Sequence, residues 1–427
     1  MQGTAAPAGS ARRPDVLLLF ATRTIRLFAY GALSVILVFY LTEVGLTDPE
    51  IGLLLTMTLI GDTAISLWIT TRADRVGRKR MLVAGAGLMV LGGLVFAVTG
   101  NFLLLLLAAT VGVLSPSGNE VGPFLAVEQA ALADIVPAEE RTRFLAWYHL
   151  AGSFATAAGS LGCGLLVQLL QSRGVRPVPS FRVVLCGYAA AGLLLAGLFL
   201  RLSPAAEAGR ATPTPASGEG PVHHLLGLHR SRGVVLKLSG LFALDAFAGG
   251  FVLQSVVAFW FHLRFGADPA TLGGIFFGAN LLAGVSALAA VRIARRVGLL
   301  RTMVFTHVPS NVLLILVPLM TTLPLAVTVL LLRFAISQMD VPARQSYTAA
   351  VVSADERSAA AGVTGVARTT GAALSPVLAG LLLGYPTLAG GLFVVAGLLK
   401  LLYDGLLYRL FRGTVPPEEA AGGAATR

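Results

Sequence analysis

Apolar residues run along most of this chain in blocks of about twenty, separated by short polar or basic stretches. A helix needs about 20 largely apolar residues to cross the roughly 30 Å hydrocarbon core of a bilayer. The blocks predict twelve spans, at 16–41, 51–70, 81–99, 102–126, 144–170, 181–200, 234–261, 271–291, 299–319, 324–348, 360–384 and 386–408. Helices are the only open-chain arrangement that satisfies every backbone polar group in lipid, so the blocks read as helices rather than strands.

The longest polar interruption contains "SPAAEAGRATPTPASGEGP", whose Pro, Gly and small residues favour a flexible linker. It divides the chain into a tail at 1–15, six spans in 16–200, a linker at 201–233, six spans in 234–411 and a second tail at 412–427. The halves repeat one another. Adding 221 carries Gly45 to Gly266, Gly52 to Gly273, and Arg75, Val76 and Gly77 to Arg296, Val297 and Gly298. Adding 216 carries Gln129 to Gln345, Val136 to Val352, Glu140 to Glu356, Arg141 to Arg357 and Gly164 to Gly380. The expected fold is an all-α membrane protein with twelve transmembrane helices in two pseudo-symmetric six-helix bundles, related by an axis along the membrane normal.

Composition agrees, with 56% hydrophobic and only 12% charged residues and a mean hydropathy of +0.80. The net charge of +11 does not point to nucleic acid, because little water-soluble chain is left to present a basic face. Its placement gives topology instead. Arg12, Arg13, the "TRADRVGRKR" loop at 71–80, the linker and the 292–301 loop all fall on one side of the predicted bilayer. The positive-inside rule makes that side cytoplasmic and places both termini there, with Arg173, Arg176 and Arg182 as an exception on the other side. A bacterial inner membrane is the expected location. Cys163 and Cys186 lack ligand-like spacing, and the six histidines assemble no metal or nucleophile signature, so neither a cofactor nor an enzyme is expected.

Twelve spans in two halves joined by a long linker resemble the major facilitator superfamily of secondary transporters, over roughly residues 16 to 410. The sharpest local likeness is the loop after the second span, where the family pattern G-x-x-x-D-R-x-G-R-[KR] is met by Asp74, Arg75, Gly77, Arg78 and Lys79, with Thr70 in place of the opening glycine. The resemblance implies that Asp74, Arg75, Gly77 and Arg78 brace helix ends as a gate. The second-half copy has Arg295 at the aspartate position and Leu299 in place of Arg78, so an asymmetric gate is expected.

Charges within spans narrow the candidates, since one at mid-helix costs at least about 2.5 to 3.5 kcal/mol and needs a partner, a wet cavity or a function. Arg26 lies ten residues into the first span, about 15 Å deep, beyond easy reach of the near surface. In the fourth, "SPSGNEVGPFLAVEQ" sets Glu120 and Glu128 eight apart, close to one helical face, beside Asn119 and Phe124. In the tenth, Asp340 and Arg344 stand one turn apart, and the repeat sets Arg344 opposite Glu128, which suits a pair bridging the halves. Asp62, Asp245, Asn280 and Arg368 complete the candidates for substrate binding or coupling. His149 reads as a structural hydrogen-bonding residue, and Lys400 with Asp404 as a pair local to the last span.

The expected activity is secondary active transport of a small organic solute by alternating access, with a proton as coupling ion and export of a drug-like or metabolic compound favoured. An acid in a cavity can take up and release a proton during such a cycle. The alternative is transport of an organic anion or phosphorylated solute on Arg26, Arg344 and Arg368. The expected partners are that solute, the proton and the lipid bilayer, and the functional unit is a monomer.

Overall fold

In the computed structural model, residues 13–120, 122, 124–207, 228–353, 356–385 and 388–414 are described. Most of both expected tails and most of the expected linker, with His223 and His224, lie outside them. The described residues are almost entirely helical and contain no strand. In chain order the helices are α1 (Arg13–Glu43), α2 (Asp48–Val76), α3 (Arg78–Val98), α4 (Phe102–Val111), α5 (Phe124–Ile135), α6 (Ala138–Ser172), α7 (Pro177–Phe199), α8 (Arg232–Gly250), α9 (Gln254–Phe265), α10 (Pro269–Val297), α11 (Leu299–Leu316), α12 (Leu323–Ser337), α13 (Asp340–Ala350), α14 (Arg357–Leu383) and α15 (Gly391–Phe411). Among the described residues, eleven segments are long and apolar enough to cross a membrane, and the short apolar α4 begins a twelfth pass.

Three passes expected to be continuous are broken. The fourth, expected at 102–126, stops at Val111, runs unwound through the Pro116 and Gly118 region and resumes as α5, so it extends to Ile135. Gly118 and Gly122 take φ of 70° and 80°, which side chains resist and glycine permits. The seventh, expected at 234–261, breaks between Gly250 and Gln254 and extends to Phe265. The tenth breaks at Gln338 and Met339, where Pro342 in the first turn of α13 has no N–H to offer the preceding turn. Broken helices of this kind are tolerated at membrane depth where the freed backbone faces protein or a cavity.

Each half packs as its own bundle. In the first, α1 lies against α6 and α7, α2 against α4, and α3 against α7; in the second, α8 lies against α14 and α15, and α11 against α12 and α15. The halves meet most extensively through α2 on α14 and α6 on α10, and also through α1 on α9. Both crossings lie near the face opposite Arg13 and Thr414, and glycine makes them possible. A Cβ on Gly52 would stand 2.7 Å from the Pro376 carbonyl oxygen, and one on Gly380 would stand 2.4 Å from that of Asp48. At the other crossing, a Cβ on Gly164 would stand 2.3 Å from the Pro269 oxygen and one on Gly273 2.7 Å from that of Ser160. The repeat offsets carry Gly52 to Gly273 and Gly164 to Gly380. The two crossings are thus one contact used twice about the pseudo-two-fold axis, and they join the halves at that face.

Candidate functional site

The first half encloses a charged cluster built on α1. Arg26 is wholly buried and donates to both oxygens of Glu128, at 2.8 and 2.7 Å, and through Nε to Glu120 at 2.8 Å. Arg23, one turn earlier, places Nη1 2.8 Å from the other Glu120 oxygen. Thr22 donates to Glu128 at 3.0 Å and the Tyr148 hydroxyl donates to the same carboxylate. A buried charge needs both a counter-charge and full hydrogen bonding, and Glu128 has both. Aromatic faces complete the setting: the Arg26 guanidinium lies 4.6 Å from the Phe124 ring centroid and that of Arg23 lies 4.4 Å from Tyr148. Phe124 is itself buried and stacked on Phe199.

Glu120 and Glu128 do not share a helical face as the spacing suggests. Glu128 is on α5, whereas Glu120 is on the unwound stretch before it, and both converge on Arg26 from different backbone settings. The Glu120 side chain keeps 13% exposure where Glu128 keeps none, and the neighbouring Asn119 is exposed. Asp62 on α2 accepts the backbone N–H of Gly122, fastening the unwound stretch. His149 lies between Arg23, 3.4 Å away, and Gln129, 3.0 Å away.

A second cluster occupies the other half. Asp245 on α8 meets Lys400 at 2.6 Å and Arg344 at 3.2 Å, and Arg344 also meets Asp340 at 3.2 Å. His307 and Asn311 on α11 hold Asp404 at 2.8 and 2.9 Å. Lys400 and Asp404 are therefore not a pair local to α15. Each reaches a different helix, because α15 packs on both α8 and α11 and turns these residues inward. Arg368 stands within electrostatic reach of Arg344, Asp245 and Asp340 without a hydrogen bond or ion pair to any described residue.

The expected bridge between Glu128 and Arg344 is absent, since each is neutralised inside its own half. In its place is an inversion. Arg344 occupies the repeat position of Glu128, and Asp245 lies two residues from Phe247, the repeat position of Arg26. Base on the first span and acid on the fourth become acid on the seventh and base on the tenth.

The halves are instead tied by Gln254, at the start of α9. It donates to Ser34 at 2.8 Å and Ser160 at 3.2 Å, and accepts from Asn280 at 3.1 Å. The Ser255 N–H donates to the Pro116 carbonyl at 3.1 Å, joining the broken seventh pass to the broken fourth. Gln254, His307 and Asn311 were missed from sequence, although an amide or imidazole inside an apolar run was a usable signal for each.

At the face carrying Arg13 and Thr414, Gly77 takes φ 113° in the turn from α2 to α3, and Arg78 pairs with Asp134 on the neighbouring α5 at 2.7 Å. Glu207 accepts the backbone N–H groups of Arg78 and Lys79 at 2.7 and 3.3 Å, fixing the segment after α7 on this turn. Arg75 is exposed, and the side chain of Asp74 lies outside the described structure.

Broken fourth, seventh and tenth passes, inward-facing charges and two related bundles define a membrane transporter rather than an enzyme. The family model for the Major Facilitator Superfamily matches residues 19–339, and the chain belongs to that family. It is 31% identical to the uncharacterized membrane protein YJR124C of Saccharomyces cerevisiae, over 93% of this chain and 94% of the yeast protein. A shorter likeness, 27% over 30% of this chain and 32% of the relative, is to the quinolone resistance protein NorA of Staphylococcus aureus. In fold it is similar to a bacterial homolog of the human lysosomal transporter Spinster, with a TM-score of 0.73 at 16% identity, over 94% of this chain and 97% of the other.

Proposed function

We propose that this chain, as a monomer with both termini in the cytoplasm of a plasma membrane, exports a small organic solute by alternating access in exchange for protons. Glu120 carries the reading. It is the one acid of its cluster with solvent exposure, it sits on unwound backbone beside exposed Asn119, and it bonds both arginines. Two arginines and two glutamates balance while Glu120 is ionised. Its protonation leaves Arg23 and Arg26 against Glu128 alone, a buried excess of one positive charge that favours rearrangement. The likeness to a drug-resistance protein over part of the chain supports export.

The test is purified protein in sealed vesicles with an imposed pH gradient, challenged with chemically distinct solute pools. Wild type should move protons and solute together, and Glu120→Gln should exchange solute while losing proton-driven accumulation. Solute flux indifferent to the gradient would remove proton coupling. Accessibility of a cysteine placed in each terminal tail to an impermeant thiol reagent reads the orientation.

A second reading, transport of an organic anion, is favoured by Arg368. Arg26 and Arg344 are already neutralised, and Arg368 is left as a cation without a bonded partner among the described residues. In that case affinity rises with substrate negative charge, and Arg368→Gln removes the dependence.

A further inference from the structure

The far end of α10 carries Arg292, Arg295 and Arg296, whose side chains line a cavity of about 400 Å³. All three are exposed and none forms an ion pair or hydrogen bond with a described residue. Their orientation follows from the helix. Ala279, Ser286 and Ala290 are buried against the bundle, while Val285 and Leu288 are 52% and 44% exposed. Steps of three and four residues carry that outer stripe from Val285 through Leu288 to Arg292 and then to Arg295 and Arg296. An apolar stripe uncovered by protein suits acyl chains, and the three arginines follow it at the end of a helix long enough to span the hydrocarbon core.

The repeat supplies the contrast. Subtracting 221 carries Arg292 to Thr71, Arg295 to Asp74 and Arg296 to Arg75, so three cations stand where the first half has one cation, one acid and a neutral residue. Next to that first-half turn, Arg78 is paired with Asp134 and Glu207 caps the turn. In the second half, exposed Arg292, Arg295 and Arg296 concentrate cations at the end of α10.

The geometry points to a binding site for the phosphate of an anionic phospholipid at Arg292, Arg295 and Arg296, with an acyl chain lying along Leu288 and Val285. Guanidinium forks match phosphate oxygens in pairs, and basic pockets at the ends of membrane helices suit anionic headgroups. The occupant is a lipid rather than a soluble phosphate because the same helix face continues into the bilayer.

The full-length protein, stripped of lipid in detergent and titrated with phosphatidylglycerol or phosphatidylcholine, reads this by native mass spectrometry. Wild type should hold phosphatidylglycerol in preference to phosphatidylcholine. Each single change, R292Q, R295Q or R296Q, should weaken that binding about fivefold, so the proposal stays testable even if a triple variant fails to insert. The paired change R72Q/R80Q, which removes two exposed cations from the first half, should leave it within about twofold. An equal loss in R72Q/R80Q overturns a local site in favour of diffuse attraction. Displacement of the lipid by millimolar inorganic phosphate overturns the lipid in favour of a soluble anion.

Discussion

Arg26 shows how a single residue constrains its surroundings: with no exposure and two carboxylates bonded to it, it is tolerable only because both acids are there. Breaking such a pair from one side leaves an uncompensated buried charge, at a cost of about 3–5 kcal/mol. Arg26→Met should therefore lower the unfolding midpoint in detergent sharply, and Arg26→Met with Glu128→Leu should recover much of the loss. A stability equal in both variants would deny the pair. Glu356 makes the same point at the membrane edge. Burial opposes its ionisation, yet the Ser231 hydroxyl and the N–H groups of His229, Arg230 and Ser231 outweigh this and hold its pKa at about 2 instead of 4.5. A depressed carboxylate stabilises the fold above its unfolded value and loses that contribution as pH falls through the folded one. Replacement by Gln should thus destabilise at pH 7, and the difference from wild type should fade between about pH 4.5 and 2. That such charges need partners was legible in the sequence. Which partners they find was not, because Lys400 reaches Asp245 across 155 residues of chain and only the adjacency of α15 and α8 decides it.

The spans themselves were readable because lipid demands a fixed length of apolar chain, a constraint that acts on composition alone. The breaks in the fourth, seventh and tenth were less so. Gly and Pro occur in intact membrane helices too, and whether they open the backbone depends on what lies alongside: Asp62 for Gly122, and Pro116 for Ser255. The glycine crossings carry a prediction at this scale. Gly164→Val puts a side chain where the Pro269 carbonyl lies 2.3 Å from even the first carbon, so the contact of α6 with α10 must part. Labelling of a cysteine at the start of α10 by an impermeant thiol reagent should rise several-fold in that variant. Unchanged labelling would mean that the crossing is not what shuts this face. Gln254→Leu, which removes two bonds across the seam and one to Asn280 without adding bulk at the crossings, should raise labelling more modestly.

At the scale of the molecule, two bundles touch through one glycine contact used twice and through α1 on α9, and the polar clusters lie within the bundles rather than between them. Rocking the halves apart therefore breaks glycine packing and the Gln254 bonds but leaves each buried ion pair intact. The inverted pairs extend this. A charge moved across the full membrane field changes energy by about 2.3 kcal/mol per 100 mV. The first cluster balances two arginines with two glutamates, and the second sets Arg344, Lys400 and Arg368 against Asp245, Asp340 and Asp404. Each of these clusters then balances its own charge, with base and acid in opposite order in the two halves. The empty carrier should return at a rate indifferent to voltage and give no transient current on a solid-supported membrane. Current should flow only with a cargo or a proton aboard, so its sign and size would report what the protein carries.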